Sequence, residues 1–215
     1  MASDLWIEIG AAVLSFAALL GYEAWLRMHL RDEPRYSLLA VNAQARAAWV
    51  EFVMAKGDAI LAVQTLRNST MTATFLASTA AILVVGALNM AWTTGSLAHF
   101  WHALNVFPES HPELWMIKLL VLVLILLMAF FCFTISIRLF HHVGYLIQLP
   151  AGEPRAMAPK GVARVLNQGG GYLALGLRAY YFAGVSIFWL FGPHFMLLAT
   201  VVLISALLRI DRAPA

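Results

Sequence analysis

Four long runs of mostly apolar residues constrain this chain more than any other feature of its sequence. A helix that crosses a bilayer needs about 20 consecutive apolar residues, and four stretches reach that length: 5–26, 71–92, 114–137 and 183–208. Of all residues 62% are hydrophobic and only 12% are charged, whereas soluble domains carry about 25% charged residues. The sequence therefore predicts an all-α, polytopic membrane protein with about four transmembrane helices in a single membrane domain over residues 1–215.

The basic residues between these runs predict how the chain crosses the membrane. No lysine or arginine occurs in 93–113, while the other two connections are rich in them: Arg27, Arg31, Arg35, Arg46, Lys56 and Arg67, then Arg138, Arg155, Lys160, Arg164 and Arg178. Basic connections stay in the cytoplasm, so both termini are expected outside, in a bacterial inner membrane. Arg209 and Arg212, near the C-terminus, run against this orientation.

Both basic connections contain helical segments of their own, over about 36–68 and 161–181. Apolar side chains recur at helical spacing from 36 to 55, which predicts an amphipathic helix on the inner membrane surface or packed under the bundle. One helix from 58 to 92 would be about 50 Å long, so its first turns should project into the cytoplasm. The run Gly169-Gly170-Gly171 permits either a tight bend or a very close helix contact.

Three stretches carry a resemblance to a known family. They are Gln64-Thr65-Leu66-Arg67-Asn68, the segment from Ser136-Ile137-Arg138 to Leu146-Ile147, and the segment from Gly171-Tyr172 through Leu175-Gly176-Leu177-Arg178 to Gly192-Pro193. With these motifs in this order, the chain resembles the bacterial and plant membrane proteins of domain of unknown function 599. The resemblance implies a four-span layout over most of the chain, and it implies no activity, cofactor or catalytic residue.

The same motifs predict a candidate polar site at the cytoplasmic ends of the spans. Its members would bind an anion or a lipid head group as a basic ring: Gln64, Arg67, Asn68, Arg138 and Arg178. The alternative is that each arginine extends independently to lipid phosphate or to helix carbonyls. Glu23 is a candidate intramembrane titratable group, because a carboxylate in hydrocarbon often serves a proton or cation path. A salt bridge to Arg27, four residues along the helix, is the simpler interpretation.

Two further candidate sites involve histidine. His194 follows Gly192-Pro193 near the middle of the fourth run, where proline would kink the helix and the imidazole would titrate or bond to a neighbouring helix. His99, His102 and His111 lie in the outer connection, and imidazole with nearby carboxylates suits zinc or copper. Their spacing matches no metal motif such as HExxH, so the expected cofactor is none, with Zn or Cu as the alternative.

The sequence lacks the short motifs of the common enzyme classes. The glycine run at 169–171 fits neither GxGxxG nor a P-loop, and there is no GxSxG or paired-carboxylate site. We therefore predict no catalytic residues and no enzyme. The leading hypothesis is a membrane subunit that forms a homo-oligomer or docks on a larger membrane complex, with lipids and other subunits as partners and no nucleic acid. The alternatives are a small transporter or channel for an ion or small anion, and a protein with an outer-face metal site.

Overall fold

The computed structural model describes residues 2–32, 38–57, 59–92, 112–149, 153–154 and 156–211. Within these ranges the chain forms six helices and no strand: α1 (Ala2–Asp32), α2 (Leu38–Lys56), α3 (Ala59–Trp92), α4 (Pro112–Leu146), α5 (Pro159–Leu190) and α6 (Pro193–Ile210). The predicted all-α fold is confirmed. Every helix except α2 is long and apolar enough to cross a membrane, which makes five candidate spans where the sequence predicted about four.

Three long helices, α3, α4 and α5, form the centre of the bundle and run in alternating directions. Near one end Val84 of α3 packs with Leu119 of α4 and Leu190 of α5, and α1 and α6 pack together beside α5. In the candidate spans only 22–39% of the most apolar stretch is buried inside the protein. Most of this apolar surface is therefore available to lipid or to a neighbouring protein.

A sharp reversal between α5 and α6 divides the run that the sequence predicted as one span over 183–208. Gly192 has a φ of 132°, which side chains with a Cβ rarely adopt, and Pro193 then starts α6 with the φ that its ring fixes. On one continuous helix Arg178 and Asp211 would lie about 50 Å apart, yet their side chains form an ion pair of 3.0 Å. The chain turns back at this point, so the prediction of a kinked continuous span is wrong.

The reversal decides which end of the bundle each terminal helix reaches. We call the end that contains the reversal the turn end. There Glu8 pairs with Lys118, whose amino group lies 5.6 Å from the centre of the Trp189 ring. Asp211 pairs with Arg178 at the other end. Glu8 and Asp211 thus lie at opposite ends of the bundle. This does not fit the expectation of both termini on one side of the membrane, because an odd number of spans places the two ends of the chain on opposite sides.

At the end opposite the reversal, α2 packs with the ends of three long helices into a unit that we call the lobe. Its core is formed by ten buried residues: Val50, Val53, Ala62, Leu66, Phe140, Val143, Ile147, Val162, Ala163 and Leu166. Arg46 of α2 donates from its Nε to Asn167 Oδ1 of α5 over 2.8 Å, and burial lowers the pKa of this guanidinium. The amphipathic helix was predicted either to lie on the membrane surface or to pack under the bundle. Because α2 contributes to this core, it packs under the bundle.

The length of α3 explains why the lobe exists. This helix has 34 residues and is about 51 Å long at 1.5 Å per residue, whereas the hydrocarbon core of a bilayer is about 30 Å thick. The expectation of one helix that extends well beyond its span agrees with this length. The residues before about position 71 are those that build the lobe.

Two glycines let α5 approach α4 closely. A Cβ at Gly169 would lie 2.8 Å from the Phe140 ring, and a Cβ at Gly176 would lie 2.5 Å from the Phe133 ring. Because α5 is one continuous helix over both positions, the run of three glycines produces a close contact and no bend. Small residues at such contacts are a common basis of helix association in membranes.

Substitution of Gly176 by alanine tests this close approach. Phe133 is fully buried and has little room to move, so we expect Gly176→Ala to lower the free energy of unfolding by about 1–3 kcal/mol. In Gly171→Ala, the matched control, the new Cβ meets no atom within 4 Å, and better helix propensity should raise stability by about 0.5–1 kcal/mol. Thermal unfolding in mild detergent measures both variants, and equal melting temperatures would contradict the close packing.

Candidate functional site

An arginine at the lobe end of the spans brings together an acidic side chain of α1 and one that directly follows α6. Arg178 of α5 pairs with Glu23 of α1 through Nη1 and with Asp211 Oδ2, beyond α6, at 3.0 Å through Nη2. The hydroxyl of Tyr22 donates to the same Asp211 oxygen over 2.8 Å. We call Tyr22, Glu23, Arg178 and Asp211 the charged cluster. It joins α1, α5 and α6 at one point.

Burial makes the charged cluster a connection that is costly to break. The side chains of Arg178, Glu23 and Asp211 are only 13%, 12% and 18% exposed. Removal of one partner from such a pair leaves an uncompensated charge, which costs far more than the loss of an exposed ion pair. The cluster holds two carboxylates against one guanidinium, so both acidic side chains share Arg178 as their counter-charge. Its role is therefore structural: it fixes α1 and the end of α6 against α5.

The partner of Glu23 differs from the one that the sequence suggested. The sequence suggested a salt bridge with Arg27, which is four residues away on the same helix. The described contact of Glu23 is with Arg178 instead, and the side chain of Arg27 lies outside the described residues. Tyr22 and Asp211 were not predicted as site residues. Nothing local in the sequence identifies them, because both join the site through contacts between helices that are distant in sequence.

A second charged pair lies at the turn end, inside the bundle. Lys118 is fully buried, and its Nζ lies 2.8 Å from Glu8 Oε2, whose side chain is 12% exposed. The Trp189 ring approaches the amino group, an arrangement in which the ring face stabilises a cation. Lys118 was missed as a site residue, although a single lysine within the apolar run 114–137 was a signal that could have found it.

A stripe of polar residues on α1 runs from one charged group to the other. Glu8, Ser15 and Tyr22 are spaced by seven residues and share one face of the helix. The Ser15 hydroxyl is fully buried and has no hydrogen-bond partner among the described residues. Leu19 and Met196, both fully buried, fill the same interface. The charged groups at the two ends are therefore separated by a closed, mainly apolar layer.

The members of the predicted basic ring lie in two kinds of surroundings. Arg178 belongs to the charged cluster, whereas the other members are exposed on the surfaces of α3 and α4: Gln64, Arg67, Asn68 and Arg138. Arg67 lines a groove of about 300 Å³ between α3 and α4, together with His141 and Gln148. A role for these residues in anion or lipid binding stays a prediction.

The histidine predictions have different outcomes. His194 is exposed at the second position of α6, next to the reversal, so its expected place in the middle of a span is wrong. His99, His102 and His111 lie outside the described residues, and the predicted zinc or copper site stays a prediction. In the part of the chain that the structure describes, no three His, Cys, Asp or Glu side chains are grouped as metal ligands.

Comparison with known proteins identifies one family. Residues 11–215 match the family model described as "Protein of unknown function, DUF599". No curated protein and no solved structure matches the chain.

The buried pair of Glu8 and Lys118 generates a test of stability. Lys118→Met leaves Glu8 without its partner, and we expect a loss of about 3–5 kcal/mol. The double variant Glu8→Gln/Lys118→Met removes both charges and should recover most of that loss. Lys160→Met, which changes an exposed lysine of α5, is the control and should leave stability unchanged. Unfolding in detergent measures these variants together with Glu8→Gln and the unchanged protein, and additive effects of the two single substitutions would show that the pair contributes no coupling.

Proposed function

The chain belongs to the DUF599 family of proteins of unknown function, and on that premise we propose that it is a non-enzymatic integral membrane subunit that binds a protein neighbour through its lobe. The neighbour is a second copy of the chain or a subunit of a larger membrane complex. The absence of nucleotide-binding and nucleophile motifs from the sequence supports the non-enzymatic part of the proposal.

One observation carries this proposal: large apolar side chains are exposed where α2 ends and α3 begins. Phe52 is 55% exposed near the end of α2, and Ile60 and Leu61 are 77% and 50% exposed in the first turn of α3. We call these three residues the corner patch. The apolar stretch of α3 covers Ile60–Met90, 31 residues or about 46 Å, which exceeds a hydrocarbon core of about 30 Å. Ile60 lies at its outermost end, about 16 Å from the start of the predicted span at Met71. Exposed apolar patches outside the hydrocarbon are typical of protein interfaces.

We also propose that the lobe lies in the cytoplasm of a bacterium, with the turn end outside. Lobe helices carry several basic residues: Arg46, Lys56, Arg67, Arg138, Lys160 and Arg164. Positively charged segments stay on the cytoplasmic side. The reversal brings Arg209 to the lobe end as well. Arg209 ran against the orientation predicted from the sequence, in which the C-terminus is outside, and it agrees with a cytoplasmic C-terminus. The N-terminus stays outside.

A second candidate function, a small transporter or channel for an ion or small anion, is favoured by the buried charges at the two ends of the bundle. A carboxylate or amine inside a membrane protein commonly lies on an ion or proton path. Transport would require the apolar layer around Leu19 and Met196 to open. Flux into proteoliposomes that is abolished by Glu23→Gln, a change that keeps the size of the side chain, would favour this function.

The outer metal site at His99, His102 and His111 remains a third alternative. Metal content of the purified protein before and after the double substitution His99→Ala/His102→Ala tests it. Unchanged metal content would remove this alternative.

The proposed orientation has a direct test. Green fluorescent protein fused after Ala215 should fluoresce, because it folds in the cytoplasm, whereas alkaline phosphatase at the same position should be inactive. The same pair of reporters placed before Met1 should give the opposite result. Active alkaline phosphatase at the C-terminal position would contradict five spans with a cytoplasmic lobe.

The corner patch is tested by gentle extraction from the native membrane, followed by native mass measurement and identification of the proteins that migrate with the chain. We expect a complex well above the 23.7 kDa of one chain. Ile60→Ser/Leu61→Ser should release the neighbour, and Leu38→Ser, at the opposite end of α2, should retain it. A monodisperse monomer, or equal retention by both variants, would contradict the proposal. The mass and the identified proteins distinguish self-assembly from docking on a larger complex.

A further inference from the structure

A groove between α3 and α4, mainly apolar but with a few polar side chains, lies at the point where the lobe meets the predicted span. It has a volume of about 300 Å³, with Leu66 and Phe140 buried at its floor and Arg67, His141 and Gln148 among its lining residues. Arg67 and His141 are exposed, so their polar ends are accessible to a ligand. The groove thus combines an apolar floor with a basic rim.

The charge of the groove selects for an anion. None of the described residues that line it is Asp or Glu, and within the described part of the chain Arg67 forms no ion pair. A guanidinium presents five N–H donors in a planar arrangement that matches phosphate oxygens. The imidazole of His141 adds a donor from α4. The two helices therefore offer phosphate a site with donors from both sides.

The position of the groove connects it to the hydrocarbon. Thr70 and Met71 also line it, and Met71 lies where the predicted span 71–92 begins. Phe75 follows four residues later on the same face of α3, and both Met71 and Phe75 are well exposed at 59% and 72%. Arg67, one turn before the start of the predicted span 71–92, is thus followed along α3 by an exposed apolar track.

We propose that this groove binds one anionic phospholipid, with its phosphate at Arg67 and His141 and an acyl chain along Met71 and Phe75. A free phosphate ion would use the basic rim and leave the apolar track unused, whereas a phospholipid uses both. Attraction between basic residues and anionic lipids is well established at the cytoplasmic surface of membranes. The site is independent of the corner patch, so the failure of one proposal leaves the other intact.

The test compares phospholipids that differ in head-group charge. Full-length protein in mild detergent is titrated with phosphatidylglycerol or phosphatidylcholine, and bound lipid is counted by native mass spectrometry. We expect one phosphatidylglycerol to be retained in preference to phosphatidylcholine. Arg67→Gln should weaken its binding by roughly fivefold, the effect expected of one basic residue at an anionic lipid surface. Unfolding temperatures of the variants, measured in parallel, verify that they are folded.

Arg164→Gln is the matched control, because Arg164 is an exposed arginine on the lobe segment of α5 and is not among the residues that line the groove. It should leave phosphatidylglycerol binding unchanged. Equal retention of the two lipids, or equal losses in the Arg67 and Arg164 variants, would overturn the proposal. Millimolar inorganic phosphate that displaces the lipid fully would also overturn it, because the site would then select the phosphate ion alone.

Discussion

Hydrocarbon offers no hydrogen-bond partner to a peptide group, and the architecture of this protein depends on that constraint. In the described residues the backbone is helical almost throughout, since a helix satisfies its own donors and acceptors. Side chains obey the same constraint: the hydroxyls of Thr72, Thr79 and Thr134 each donate to a carbonyl one turn earlier in their own helix. The backbone reverses its direction at Gly192, at one end of the bundle.

Hydrocarbon also fails to stabilise an unpaired charge. Among the described residues, the buried charged side chains of the spans pair with side chains of other helices. Lys118 of α4 pairs with Glu8, and Arg178 of α5 pairs with Glu23, so the two ends of α1 are fixed by different neighbours. Buried ion pairs contribute less to net stability than their number suggests, but they penalise every arrangement that separates them. Their main effect here is to specify where α1 lies.

The features that depend on local composition were predictable from the sequence, and those that depend on distant contacts were not. The apolar runs define the all-α fold, and helical spacing identifies α2. Hydropathy cannot distinguish a kink from a reversal at Gly192-Pro193, because both sides of the break are apolar. Arg178 was recognised as a candidate, but its partner Asp211 lies at the end of α6, and only the reversal brings it there. Lys118 was overlooked as well, and its partner Glu8 lies on a helix that is distant in sequence.

The pairing of Arg178 with Glu23 has a consequence for biogenesis. The two residues are 155 positions apart in the chain, so α1 enters the membrane long before its cationic partner has been synthesised. Until α5 follows, Glu23 lacks this counter-charge, so the pair cannot fix the position of α1 before then. The reversal at Gly192 then lets α6 return, which brings Asp211 to the same guanidinium. The charged cluster can therefore be complete only after α6 has been synthesised.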